Sequence, residues 1–307
     1  MKHLLSIEAL TGEEIARIVA LASRMKEERG RHTAQPLAGQ CWALIFSKAS
    51  TRTRVSFEVG IRELGGAAMF LSANDIQLGR GEPVKDTARV MGRMLGGAVI
   101  RTFSQNEVEQ FAEYAGIPTI NALTDEEHPC QILADLQTIK EKLGQYTGRK
   151  VCFVGDGASN VARSWIWAAG RCGFELAIAA PPNYQPDPAL TQAAKGGNVW
   201  VTANLEEAAQ GADVLYTDVW VSMGKEDEAE FRMAQLAGYQ INRELMAAAP
   251  RGALVMHCLP AYREKEITEE VFEENAGTIF DEAENRLHTQ KAVLQLLTEG
   301  WETLSAD

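Results

Sequence analysis

Residues 47–58, SKASTRTRVSFE, gather the hydroxyls of Ser50, Thr51 and Thr53 with Arg52 and Arg54. They stand ahead of a stretch in which Val55, Val59 and Leu64 share the spacing of one helix face. Ser50 or Thr51 suits the N-cap of such a helix, whose first turn offers unpaired N–H groups and partial positive charge. With the hydroxyls as donors and Arg52 able to grip two oxygens at once, the stretch describes a binding site for a small phosphate-like anion. The alternative reading is a plain capped surface helix with Arg54 paired to Glu58 four residues on, and Arg54 is left out of the ligand set on that ground.

Other stretches carry similar loads. Arg101 ends the apolar run AVIRTF, where it serves either a structural ion pair or a ligand clamp. His128 and Gln131 flank Pro129 at the start of an apolar helix, and together they could polarise a carbonyl oxygen. In VCFVGDGASN, Gly155 and Gly157 are present but Asn160 stands where a dinucleotide fingerprint needs glycine. A nicotinamide cofactor is therefore not expected, and Asn160 reads as a polar ligand contact or an ordinary helix start. Asp218 closes the run VLYTDVW and precedes Ser222, Met223 and Gly224, a loop in which a carboxylate could receive a cationic group. His257 and Cys258 end the run ALVMHCL ahead of Leu259 and Pro260; nucleophile and zinc ligand are both open to Cys258, although no second pair of ligands accompanies it. Arg286 precedes the final helix.

The elements that must position these residues follow from the alternation of apolar runs with amphipathic stretches, the pattern of parallel strands joined by helices. Strands are expected at 41–46, 98–103, 151–156, 175–180, 214–220 and 253–259, and helices at 11–28, 55–64, 83–95, 107–115, 130–143, 160–172 and 289–305. The turn QYTGRK before VCFVGD starts a second sheet. Two α/β domains result, 1–143 and 144–287, each a parallel sheet flanked by helices, with a C-terminal helix (288–307) packing back on the first. The loaded residues follow the strands, so the active site is expected in the cleft between domains.

Composition narrows the function. A formal net charge of −12 over 307 residues argues against broad binding to nucleic acid or to an anionic membrane. MKHLLSIEAL lacks the apolar core of a signal peptide, and no stretch approaches a membrane span. Cys41, Cys130, Cys152, Cys172 and Cys258 are scattered and odd in number, as expected of reduced thiols in a cytoplasmic protein.

Taken together, SKASTRTRVSFEVG, HPCQILADLQT, DVWVSMG and HCLPAYR resemble the ornithine carbamoyltransferase family, in the same order and over essentially the whole chain. The first two motifs are shared with aspartate carbamoyltransferases; the last two resemble the ornithine-specific branch, which sets aside relatives acting on acylated ornithine or putrescine. The resemblance implies transfer of a carbamoyl group from carbamoyl phosphate to the δ-amine of L-ornithine. It assigns Ser50, Thr51, Arg52, Thr53, Gln77, Arg101, His128, Gln131, Cys258, Leu259 and Arg286 to carbamoyl phosphate, the first domain being its binding domain. Asn160, Asp218, Ser222 and Met223 go to ornithine in the second domain, and Arg101, His128, Gln131, Asp218 and Cys258 are the catalytic set. It also implies a homotrimer or a multiple of trimers, with Gln77 reaching a neighbouring subunit's site, and no metal or organic cofactor. Arg163 and Tyr262 stand where relatives often carry Asn and His, outside the assigned contacts.

Overall fold

The computed structural model describes residues 2–72, 76, 81–222, 224 and 226–301; Gln77 and Met223 lie outside the described residues. The chain separates into two compact units, one formed by Met1–Gln137 with Glu284–Asp307 and the other by Thr138–Ala283.

The first unit runs α1 (Gly12–Glu27), β1 (Cys41–Phe46), α2 (Thr51–Glu63), β2 (Ala67–Ser72), α3 (Val84–Met91), β3 (Gly97–Arg101), α4 (Gln105–Ala115), β4 (Thr119–Leu123) and the start of α5 (Pro129–Leu143). Its strands lie parallel in the order β2-β1-β3-β4. Strands β1 and β3 are buried almost throughout, which is what continuous apolar runs such as CWALIF require of a sheet covered on both faces. Ala43, Ile45, Ala98 and Ile100 pack against Val108 and Phe111 of α4.

The second unit follows with β5 (Lys150–Val154), α6 (Asn160–Cys172), β6 (Glu175–Ala179), α7 (Pro188–Ala193), β7 (Asn198–Thr202), α8 (Leu205–Ala209), β8 (Val214–Thr217), α9 (Ala229–Leu236), α10 (Arg243–Ala248), β9 (Leu254–His257) and α11 (Glu269–Glu299). Its sheet is also parallel, ordered β7-β6-β5-β8-β9. Two doubly wound parallel sheets are therefore present, as the alternating pattern requires. Among the described residues no helix is long and apolar enough to cross a membrane.

Three strands escape sequence reading, each for a local reason. Strand β2, AAMFLS, carries a short apolar run behind Gly65 and Gly66 that periodicity alone does not assign to a strand; it forms a sheet edge with Ala67 and Met69 exposed. In β4 the buried Asn121 interrupts the run; its amide donates to Leu5 O at 2.8 Å and Gln105 Oε1 at 3.1 Å. Strand β7 is the other sheet's edge, with no residue fully buried. The last helix also begins at Glu269 and not at 289, because Val271, Phe272 and Ile279 continue a buried stripe ahead of Leu287. Arg286 consequently lies inside that helix and not before it. From Glu284 onward the helix belongs to the first unit.

Candidate active site

Each sheet reverses its strand order once. In the first unit the reversal falls between β1 and β3, and in the second between β5 and β8. In open parallel sheets the connections at such a point leave in opposite directions and open a crevice at the strands' carboxyl ends. Ser50–Thr53 follow β1, Arg101 ends β3, Asn160 follows β5 and Asp218 follows β8. The residue types singled out above thus sit at the two places where topology makes room for a ligand.

In the first unit, Ser50 is the N-cap of α2, its hydroxyl accepting from Thr53 N at 3.2 Å. The helix starts at Thr51, so its first turn carries Arg52 and Thr53. Arg54 is turned away, bonded to Glu58 at 2.8 Å with its guanidinium over the Phe70 ring. Arg286, buried, donates from Nη1 to Gln131 Oε1 at 2.7 Å and from Nη2 to Thr53 Oγ1 at 3.3 Å. Gln131 in turn donates from Nε2 to the buried Asp135 at 2.8 Å, which fixes which way its amide points. The loops after the three strands are laced together: Ser47 N donates to Arg101 O and Asp125 N to Phe103 O, both at 2.8 Å. Lys48, a buried residue of the anion motif, pairs with Asp125 and lies over Phe103.

His128 is buried among these cations. Loss of water around the ring, and then the charges of Arg286, Arg101 and Arg52, hold its pKa well below the usual 6.5. The imidazole is therefore neutral near pH 7 and offers an N–H without adding a fourth charge. The depressed pKa has a stability consequence. Below 6.5 the unfolded chain binds a proton that the folded chain refuses, so stability falls as pH drops from there toward the depressed value. His128→Gln is expected to remove its share of this loss, at most about 1.4 kcal/mol per pH unit. Because His3 and His288 are depressed as well, the test is the difference between variant and parent in urea unfolding from neutral pH downward. Identical pH slopes would refute it.

In the second unit, the thiol of Cys258 donates to Asp218 Oδ1 at 2.9 Å, and Val219 N donates to the same oxygen at 2.7 Å. Scarcity of water around the carboxyl raises the pKa of Asp218 above 3.8, against the opposing pull of His257 and these two hydrogen bonds. Cys258 is held by its neighbours. His257 Nδ1 accepts from Leu259 N at 2.9 Å while Nε2 faces Glu266 Oε1 at 3.0 Å, so the ring proton sits on Nε2. Leu259 takes the left-handed conformation, φ 57°, ahead of a cis peptide to Pro260. Non-glycine residues adopt that conformation rarely and only where surroundings impose it.

Asn160 is the first residue of α6, behind the N-cap Ser159, and Ser222 follows the end of β8. Gly155 and Gly157 answer to the turn itself. Gly155 has φ 125°, and a Cβ on Gly157 would stand 2.7 Å from Ile178 Cγ2. Two glycines here therefore need no dinucleotide to explain them. Arg232 is a residue that sequence reading missed. Buried, it pairs with Asp156 in this turn and donates to Trp220 O at 2.9 Å, tying the turn before Asn160 to the segment after Asp218. Its local signal was slight: it stands between Phe231 and Met233 in a stretch that also carries Glu230 and Gln235.

The structure thus joins Thr53, Gln131 and Arg286 by hydrogen bonds, sets His128 in the field of Arg52, Arg101 and Arg286, and joins Asp218 to Cys258. Cys258 and Leu259 belong to the second unit. Among the described residues no cluster of three or more His, Cys, Asp or Glu side chains could hold a metal ion.

Residues 2–141 match the family model described as aspartate/ornithine carbamoyltransferase, carbamoyl-P binding domain, and residues 147–297 the one described as the Asp/Orn binding domain. A relative from Akkermansia muciniphila, named ornithine carbamoyltransferase, is 61% identical over 301 residues, covering 97% of this chain and 99% of its own. One of the same name from Methanocorpusculum labreanum is 49% identical, covering 98% and 99%. Among solved structures, the anabolic ornithine carbamoyltransferase from Campylobacter jejuni superposes with a TM-score of 0.92 at 44% identity, covering 97% of this chain and 99% of that one. The ornithine carbamoyltransferase from Pyrococcus furiosus gives 0.92 at 42% identity, covering 98% of each. With both family models matched across nearly its full length, the chain belongs to the aspartate/ornithine carbamoyltransferase family.

Proposed function

We propose that the protein transfers the carbamoyl group of carbamoyl phosphate to the δ-amine of L-ornithine, giving L-citrulline and phosphate. The observation that carries the choice of acceptor is the Asp218–Cys258 pair, a carboxylate at a strand end with a thiol donor on it. A fixed carboxylate favours a cationic side chain over the anionic one of aspartate. The relatives quoted above, all named for ornithine, support the same choice.

In this reading Ser50, Thr51, Arg52 and Thr53 hold the phosphate group at the N-terminus of α2, with Arg286. The neutral amine attacks the carbonyl carbon; its lone pair forms the C–N bond while the carbonyl π pair moves onto oxygen. Arg101, His128, Gln131 and the Thr53 hydroxyl stabilise that oxyanion. When it collapses the C–O bond to phosphate breaks, and the growing charge on the leaving phosphate strengthens its hold on Arg52 and the helix end. The amine loses a proton; Asp218 orients it, and Cys258 either orients it too or accepts that proton as its own passes to Asp218 Oδ1. Asn160, Ser222, Met223 and Leu259 complete the contacts, and Gln77 adds one from a neighbouring subunit. No metal or organic cofactor enters any of these steps.

A trimer, or a multiple of trimers, is part of the proposal. It is supported by the edge strand β2, where Met69 is 47% exposed, and by α2, which packs on that strand and exposes Val55 at 53%. Sedimentation at micromolar concentration is expected to give a multiple of three chain masses. A cytoplasmic location is supported by five free cysteines. A colorimetric citrulline assay with carbamoyl phosphate tests the reaction. Turnover with ornithine, and none with aspartate, putrescine or N-acetylornithine, is the expected result; turnover with another acceptor instead of ornithine would overturn it.

A further inference from the structure

Helices α2 and α11 meet along a seam that carries Thr53 and Arg286 of the proposed site at one end. At its middle, a Cβ on Gly60 would stand 3.1 Å from Lys291 Cγ and 3.4 Å from Leu287 Cδ1, so glycine permits the close approach. Lys291 Nζ anchors one end by donating to Glu63 Oε2 at 2.7 Å. The other end holds Thr53, Ser56, Arg286 and Gln290.

Gln290 is 1% exposed and sits one helical turn beyond Arg286. One side of its amide faces the guanidinium, whose N–H groups only donate. The amide oxygen therefore takes that side and accepts from Arg286 Nε at 3.1 Å and Nη2 at 2.9 Å. The amide nitrogen then donates to Ser56 Oγ at 2.6 Å and to Arg286 O at 3.2 Å. Ser56 passes the chain on, its hydroxyl donating to Arg52 O at 2.7 Å and Thr53 O at 3.2 Å. One buried amide thus ties the arginine to the carbonyls of the turn that carries Arg52 and Thr53.

We propose that Gln290 is a positioning residue for the anion site: it sets the plane of the Arg286 guanidinium and couples it, through Ser56, to the first turn of α2. The inference rests on the reading of Arg286 and Ser50–Thr53 as carbamoyl phosphate ligands. With its Nε and Nη2 edge held by Gln290, the guanidinium has its Nη1 side toward Gln131. An arginine ordered before the ligand arrives loses little conformational freedom on binding, and affinity gains accordingly.

Gln290→Met keeps the length of the side chain and removes both hydrogen-bonding ends. Calorimetry with carbamoyl phosphate is expected to show affinity weakened about ten-fold or more, the usual effect of removing a hydrogen bond to a charged group, with the KM for ornithine unchanged. Wild-type affinity in that variant overturns the inference. If it fails to fold, Gln290→Glu decides. Its carboxylate accepts from Arg286 but cancels part of the charge felt by His128, so the acid limb of kcat/KM is expected to move to higher pH. An unmoved limb overturns the inference, since a carboxylate held against the Arg286 guanidinium must offset part of its charge at His128. Arg286→Met separates the two levels. Wild-type affinity there overturns the reading of the site, whereas loss there with wild-type affinity in Gln290→Met overturns only the role of Gln290.

Discussion

Arg52→Ala is expected to abolish carbamoyl phosphate binding at concentrations that saturate the parent protein, while leaving the fold intact. Arg52 lies in the first turn of α2, partly exposed, and among the described residues no acidic side chain pairs with it. The contrast with Arg54, committed to Glu58, is direct. An arginine without a carboxylate at a helix N-terminus is held ready for an anion, and a bidentate grip on phosphate makes two charge-assisted bonds. Each is worth about 1.5–3 kcal/mol, so their loss weakens binding by about 100-fold or more. Stability should barely change, since alanine is the best helix former and among the described residues no buried acidic partner is orphaned. Titration calorimetry reads the affinity and circular dichroism the fold. A folded variant with parental affinity would remove Arg52, and with it the phosphate reading of α2, from the proposed function.

Much of this was visible in the chain before its structure. Strand β1 and helix α6 fall where CWALIF and the stretch 160–172 place them, because continuous apolar runs and a capped amphipathic stretch are local signals. The chemistry-bearing residue types were equally visible. What holds them was not. Arg286 meets Gln131 across 155 residues and Thr53 across 233, and no local period encodes such a pairing. Edge strands β2 and β7 carry short apolar runs, AAMFL and VWV, that periodicity alone does not assign to a strand. Gln290 stands between Thr289 and Lys291, and Arg232 in a stretch with Glu230 and Gln235, so nothing local marks either as buried, and their partners appear only when the elements pack.

The acceptor side gives the second large effect. Asp218→Asn is expected to lower kcat/KM for ornithine by about 10²–10⁴, the range in which positioned acid–base groups contribute. The δ-amine resembles a lysine side chain, with a pKa of about 10.4, and is mostly protonated at neutral pH. A carboxylate attracts and orients that cation; an amide of the same shape does neither. Stability should move the other way. Burial raises the pKa of Asp218 above 3.8, so the folded chain resists the charge that the unfolded chain carries freely. Stability therefore falls as pH rises from 3.8 through the raised value, and the penalty persists at neutral pH. Asparagine avoids it while its oxygen still accepts from Val219 N and the Cys258 thiol, the two donors now on Oδ1. The variant should thus be nearly inactive with ornithine yet at least as heat-stable as the parent at pH 7, with the difference shrinking in acid. Cys258→Ala removes one of the bonds that favour the charged carboxylate, so the pH below which ornithine binding fails should rise; Cys258→Ser, which keeps a donor, should leave it nearly in place. A carbamoyl-thioester trapped on Cys258 would replace this scheme with covalent catalysis, and an Asp218→Asn enzyme with parental kcat/KM would end the assignment of Asp218 to the amine.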